Sequence, residues 1–104
     1  METKKNKNLI ITGGTRGMGL SHAFYLSNKG FNLALIDISS KACQVYGEIE
    51  NIDDLLKKLS CNGTKNKFYE CDLTKLSNTK NVFNKIIEDF LEIHACVLSV
   101  GGDV

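Results

Sequence analysis

Thr12-Gly13-Gly14-Thr15-Arg16-Gly17-Met18-Gly19 separates a short apolar run, Leu9-Ile10-Ile11, from a stretch of helical periodicity. Four glycines crowd into that turn. No other segment limits the fold so strongly. A tight turn of this kind can demand positive φ, which glycine adopts without a steric penalty. It also lets backbone N–H groups approach a pyrophosphate and lets the following helix pack closely on the strand. The helix N-terminus then offers unpaired N–H groups and the positive end of its dipole to phosphate.

The rest of the chain repeats the same alternation. Leu9-Ile10-Ile11 reads as a strand buried on both faces, as in a parallel sheet. Gly17 opens the first helix, with Leu20, Ala23, Phe24 and Leu26 on its apolar face and Lys29-Gly30 as its stop signal. Phe31–Ile36 is the second strand and ends at Asp37. Ala42, Val45, Tyr46, Ile49, Ile52, Leu55, Leu56 and Leu59 then recur at three- and four-residue steps. They predict a second helix capped by Ser39 or Ser40, kinked or split at Gly47, and ended by Asn62-Gly63. Phe68–Cys71 is the third strand. Thr74 or Ser77 caps a third helix with Val82, Phe83, Ile86, Ile87, Phe90 and Leu91 on its apolar face. Ala95–Leu98 is the fourth strand. The order βαβαβαβ predicts an α/β fold, a Rossmann-type parallel sheet with right-handed crossovers. Residues 1–8 read as a polar tail and residues 9–104 as a partial dinucleotide-binding domain.

Asp37 is the second half of the binding signal. It lies at the end of the second strand, 18 residues beyond Gly19. An acid that binds the adenosine ribose is expected about 20 residues on. Its carboxylate accepts from the 2′- and 3′-hydroxyls and repels a 2′-phosphate. Arg16 pulls the other way. It stands in the phosphate turn and could hold a 2′-phosphate, cover the pyrophosphate, or face solvent. Asp37 is the better-placed discriminator, so the expected cofactor is NAD rather than NADP.

Composition removes other classes. Thirteen Lys and Arg stand against 12 Asp and Glu, for a net charge of +1, so nothing favours nucleic acid as a partner. No apolar run approaches the ~18 residues of a membrane span. The polar start, Met1 to Asn8, carries no export signal, which makes the expected compartment cytoplasmic. The four cysteines are widely spaced and the two histidines do not cluster with them, so no metal site or disulfide framework is expected. Cys71 and Cys96 read as thiols inside apolar strands. The turn lacks the Gly-Lys-Ser/Thr of a P-loop, because Leu20-Ser21 follows Gly19. Its Thr12-Gly13 opening also fits a methyltransferase less well than a dehydrogenase.

These residues resemble the short-chain dehydrogenase/reductase family. Thr12 to Gly19 is similar to its TGxxxGxG motif, and Asp37 to the acid of its NAD-preferring members. Asp72-Leu73 is similar to the pair after the third strand. The resemblance implies that this Asp contacts adenine and that the backbone after it helps enclose the ring. Val97-Leu98-Ser99-Val100-Gly101 resembles the NNAG region, with Gly101 kept, Leu98 and Ser99 at the Asn positions and Val100 in place of Ala. The implied cofactor-binding set is Thr12, Gly13, Thr15, Arg16, Gly17, Met18, Gly19, Asp37, Ile38, Asp72, Leu73 and Gly101.

The family's catalytic Ser, Tyr and Lys lie beyond the fourth strand, and the chain stops six residues after that strand. No catalytic residue is therefore assigned. Tyr25 and Lys29 do match YxxxK at a spacing that shares one helix face, but they stand on the first helix. The expected function is the NAD-binding segment of a short-chain oxidoreductase, inactive by itself. The alternative is an inert nucleotide-binding or assembly module acting through a partner chain. An open fourth strand further predicts a homo-oligomer or a missing C-terminal partner segment.

Overall fold

The computed structural model describes residues 7–13, 15, 17–38, 51–61 and 63–98. Strand β1 spans Asn8–Thr12, helix α1 Gly17–Asn28, strand β2 Asn32–Asp37 and helix α2 Ile52–Ser60. Strand β3 follows at Asn66–Glu70, helix α3 at Leu76–Phe90 and strand β4 at Ala95–Leu98. The strands form one parallel sheet in the order β3-β2-β1-β4. The chain steps from β1 to β2 to β3 in one direction, and α3 then carries it back across to the far side of β1. Strand order therefore reverses at β1. The carboxyl end of β1 is the place where such sheets bind ligands.

Apolar residues alternate between two cores. Leu9, Ile11, Leu33 and Leu35 meet Leu20 and Ala23 of α1 and Leu55 and Leu59 of α2 on one face. Ile10, Ala34, Ile36, Tyr69 and Cys71 meet Ile86 and Phe90 of α3 on the other. The central strands are hydrophobic throughout because both faces are covered. Burial of each Leu or Ile side chain is worth roughly 1.5–3 kcal/mol.

Helix α1 ends as its sequence predicts. Gly30 has φ +95° and donates to the Ser27 carbonyl at 2.9 Å, while the Phe31 N–H reaches the Leu26 carbonyl at 3.1 Å. That pair of bonds is a Schellman cap, which requires the left-handed residue that glycine supplies.

Several expectations are corrected. Asn51, in extended conformation, is the N-cap of α2, and its side chain accepts from the Asp54 N–H at 2.8 Å. The apolar stripe is thus not one helix running through Asn51. Ser39, Ser40 and Gly47 lie outside the described residues. Neither Thr74 nor Ser77 caps α3. Lys75 holds that position without a side-chain bond, because the Thr74 hydroxyl donates to Asp72 instead, at 2.6 Å. Ile87 and Leu91, assigned to the apolar face of α3, are exposed. Cys96 is exposed on β4, whereas Cys71 is buried. Asn8, assigned to the polar tail, begins β1.

Candidate dinucleotide site

The carboxyl ends of β1, β2 and β3 gather the predicted residues. Thr12 closes β1 and is buried, with its hydroxyl 3.4 Å from the Val97 carbonyl of β4. Gly13 follows with φ +67°, and its N–H donates to the Ile36 carbonyl of β2 at 2.7 Å. A side chain at that φ would be strained, so the turn is built on glycine. Helix α1 then starts at Gly17, with no acidic side chain in its first turn to compete with an anion. Gly19 is buried inside that turn, and Met18 is exposed. Arg16 and Gly101 lie outside the described residues.

Thr15 is fully buried and donates its hydroxyl to Asp37 Oδ2 at 2.6 Å. The Ile38 N–H donates to the other carboxylate oxygen at 2.8 Å. Asp37 is only 7% exposed, yet each oxygen is held by a donor and keeps a further lone pair. A bond to a buried carboxylate is charge-assisted and short, as this one is. The glycine turn and the end of β2 are therefore locked together by the residue that the sequence marks as the ribose acceptor. The motif includes Thr15 but does not reveal its partner, because the bond joins residues 22 apart in sequence.

Ile38, directly after Asp37, is 56% exposed. It borders a cavity of about 330 Å³, also lined by Glu70, Cys71, Asp72, Asn78, Asn81 and Val82. Asp72 Oδ1 accepts from the Thr74 N–H at 3.0 Å and from the Thr74 hydroxyl. Those two bonds hold its carboxyl below the usual carboxylate range. Burial pushes the Cys71 thiol up, so it stays neutral beside the cavity. Leu73 turns inward and packs with the α3-side core, so what it offers the site is backbone.

The residues fit a dinucleotide at its adenosine end. An anchored carboxylate, an exposed apolar side chain next to it and a second acid across a cavity match ribose and base in turn. Tyr25 and Lys29 stand apart from that gathering. Tyr25 is 61% exposed on α1, and the Lys29 ammonium sits 5.4 Å from its ring centroid as a cation–π contact. Among the described residues no cluster of three or more His, Cys, Asp or Glu could hold a metal ion. No helix there is long and apolar enough to cross a membrane.

Known proteins give the same reading. The short chain dehydrogenase family model matches residues 7–104. An L-rhamnose 1-dehydrogenase (NADP(+)) of Thermoplasma acidophilum is 31% identical over 93% of this chain and 35% of its own. A candidate short-chain dehydrogenase/reductase of Sinorhizobium meliloti superposes with a TM-score of 0.81 at 28% identity, over 98% of this chain and 43% of that one. The NAD-bound structure of a candidate D-mannonate oxidoreductase from Haemophilus influenzae gives 0.78 at 29% identity, over 96% and 32%.

The fold and the turn together define a nicotinamide-dinucleotide-binding α/β protein. The chain belongs to the short-chain dehydrogenase family. It spans about a third of the length of the curated relatives it matches.

Proposed function

We propose that this chain is the NAD-binding segment of a short-chain oxidoreductase whose reaction is hydride transfer between an alcohol or carbonyl substrate and the nicotinamide. The observation that carries the reading is Asp37, fixed by Thr15 and by the Ile38 N–H at the end of β2. A carboxylate held there accepts ribose hydroxyls and meets a 2′-phosphate with like charge. The turn around Gly13 and the start of α1 supply N–H donors to the pyrophosphate. Asp72 and the backbone at Leu73 face the base. Thr12, Thr15, Gly17, Met18 and Gly19 shape the turn, and Arg16 and Gly101 complete the proposed set from the motif. When bound, the nicotinamide ring would supply the hydride chemistry. The proposed set includes no proton donor, and the chain by itself is proposed to be inactive. The free thiols of Cys61, Cys71 and Cys96 support a cytoplasmic setting.

Dissociation constants for NAD and NADP, measured on the unmutated chain and on Asp37→Ser, test the assignment. NAD should bind more tightly, and the substitution should erase or reverse the preference. Equal or tighter NADP binding by the unmutated chain refutes it.

A second reading, an inert module completed by a partner chain, is favoured by one observation. Strand β4 pairs only with β1 among the described residues, and Cys96 and Leu98 on it are exposed.

A further inference from the structure

The cavity beyond Ile38 carries two side chains that the binding motifs leave unused. Asn78 and Asn81 stand three residues apart in the first turns of α3, hence on one face of that helix. Both line the same cavity as Asp72 and Ile38. Neither side chain makes a hydrogen bond to another described residue. Two carboxamides facing a cavity between an acceptor-only carboxylate and an apolar wall form a polar edge with both donors and acceptors.

Resting on the reading that Asp37 holds the adenosine ribose, we propose that Asn78 and Asn81 recognise the adenine base and set the preference for its 6-amino group. The base is joined to the ribose that Asp37 binds, so it must lie within a few ångströms of that carboxylate. A cavity starts at the next residue, Ile38, among the described residues, and offers space for it. A carboxamide can pair with adenine in two places, accepting from the 6-amino group and donating to N7. Asp72 adds only acceptors, which suit the amino group and oppose a 6-oxo group. Ile38 supplies the apolar surface on which the ring lies. The two asparagines thus act on base identity, while Asp37 acts on the 2′-position.

The test compares NAD with nicotinamide hypoxanthine dinucleotide, which has oxygen in place of the 6-amino group. Dissociation constants are measured by isothermal titration on the unmutated chain, Asn78→Ala, Asn81→Ala and the double variant. Thermal melts confirm that these exposed positions leave the fold intact. The unmutated chain should prefer NAD, and the double variant should lose at least about fivefold in NAD affinity, the lower end expected of a paired base contact. The preference over the hypoxanthine analogue should narrow in parallel, which loss of helix stability would not produce. NAD binding and base preference unchanged in the double variant overturn the assignment and leave the Asp37 reading standing. An unmutated chain that binds neither dinucleotide overturns both.

Discussion

Thr15 and Asp37 are joined by a buried hydrogen bond of 2.6 Å that ties the glycine turn to the end of β2. The bond gives the turn a fixed position relative to the ribose acceptor. It also supplies a donor to a carboxylate that would otherwise be buried with the Ile38 N–H as its sole described partner. Hydroxyl and carboxylate therefore depend on each other for folding and binding together.

Removing that hydroxyl separates the two effects. Thr15→Val keeps the shape and leaves Asp37 one donor short. A hydrogen bond to a charged group is worth roughly 1.5–3 kcal/mol, and a loss of that order is expected in urea unfolding. NAD affinity should fall as the carboxylate loses its orientation. Thr15→Ser, which keeps the donor, should restore most of both. A stable Thr15→Val chain with unaltered NAD binding would contradict this account.

The edge strand β3 carries a second coupled group. The Tyr69 hydroxyl donates to Asp89 Oδ2 at 2.7 Å, and the Lys67 ammonium lies 3.1 Å from the same oxygen. Burial first, and the Asp89 carboxylate second, push the Tyr69 phenol well above its ordinary value of 10.0. The bonds from Tyr69 and Lys67 hold the Asp89 carboxyl below its usual range. The signs differ. Tyr69 contributes stability that is complete below its unfolded value near pH 10 and is lost as pH rises above it. Asp89 contributes stability that is present above about pH 4 and is lost as pH falls through its lowered folded value. Unfolding free energies measured from pH 2 to 11 should therefore decline at both ends. Tyr69→Phe should flatten the alkaline decline relative to the unmutated chain, and Asp89→Asn the acid one. Parallel curves for parent and Tyr69→Phe above pH 9.5 would show that the phenol is not held this way.

Asn8 pins the other end of the sheet. Its side-chain amide donates to the carbonyls of Phe90 and Glu92 at 3.1 and 2.9 Å, and its side-chain oxygen accepts from the Asn32 amide at 2.8 Å. Asn32 in turn accepts from the Lys65 N–H at 2.8 Å, so the entrances to β1, β2 and β3 and the exit of α3 are linked in series. Asn8→Ala removes three bonds and leaves the Phe90 and Glu92 carbonyls and the Asn32 amide to solvent. A loss of about 1–3 kcal/mol is expected, read by chemical denaturation. Asn8→Asp should cost as much, since a carboxylate cannot donate to either carbonyl. A change below about 0.5 kcal/mol in both would show that water replaces these bonds without cost.

The alternation of strands and helices was legible because burial on both faces leaves unbroken apolar runs such as Leu33 to Ile36, and because helix α1 ends on a glycine with positive φ. The cofactor turn was legible because glycine there has a backbone reason. What the chain order hid were contacts between distant polar residues. Asn8 looks like part of a solvated tail until the end of α3 and the segment after it return to it from residues more than 80 positions away. Thr74 looks like a helix cap, but Asp72, two residues earlier, captures its hydroxyl. Ile87 and Leu91 continue the period of the α3 stripe, yet Ile86 and Phe90 take the buried positions, and Leu91 is the C-cap at φ 71°, where the chain leaves the helix. Asn78 and Asn81 carried no signal at all, since exposed asparagines on a helix are ordinary until a cavity places them opposite an acid.

Strand β4 forms an edge of the described sheet. Its four residues pair with β1 alone among the described strands, leaving a row of backbone N–H and C=O groups on the other side. Leu98 on the strand is 75% exposed, and Ala95 and Cys96 beside it are exposed too. Unpaired strand edges recruit other chains, and contiguous exposed apolar surface marks interfaces or aggregation. The other sheet edge, β3, carries Lys67 and Glu70, with Lys65 just before it, whereas Ala95 to Leu98 carries no charge. The purified chain should therefore self-associate through β4 at micromolar concentration. Sedimentation velocity should show a concentration-dependent shift to dimer or larger species. Leu98→Lys should return it to monomer while preserving the thermal transition, because the substituted side chain is already at the surface. A parent chain that sediments as a monomer across the micromolar range, with a sharp unfolding transition, would show that the four-stranded sheet tolerates its open edge without a partner.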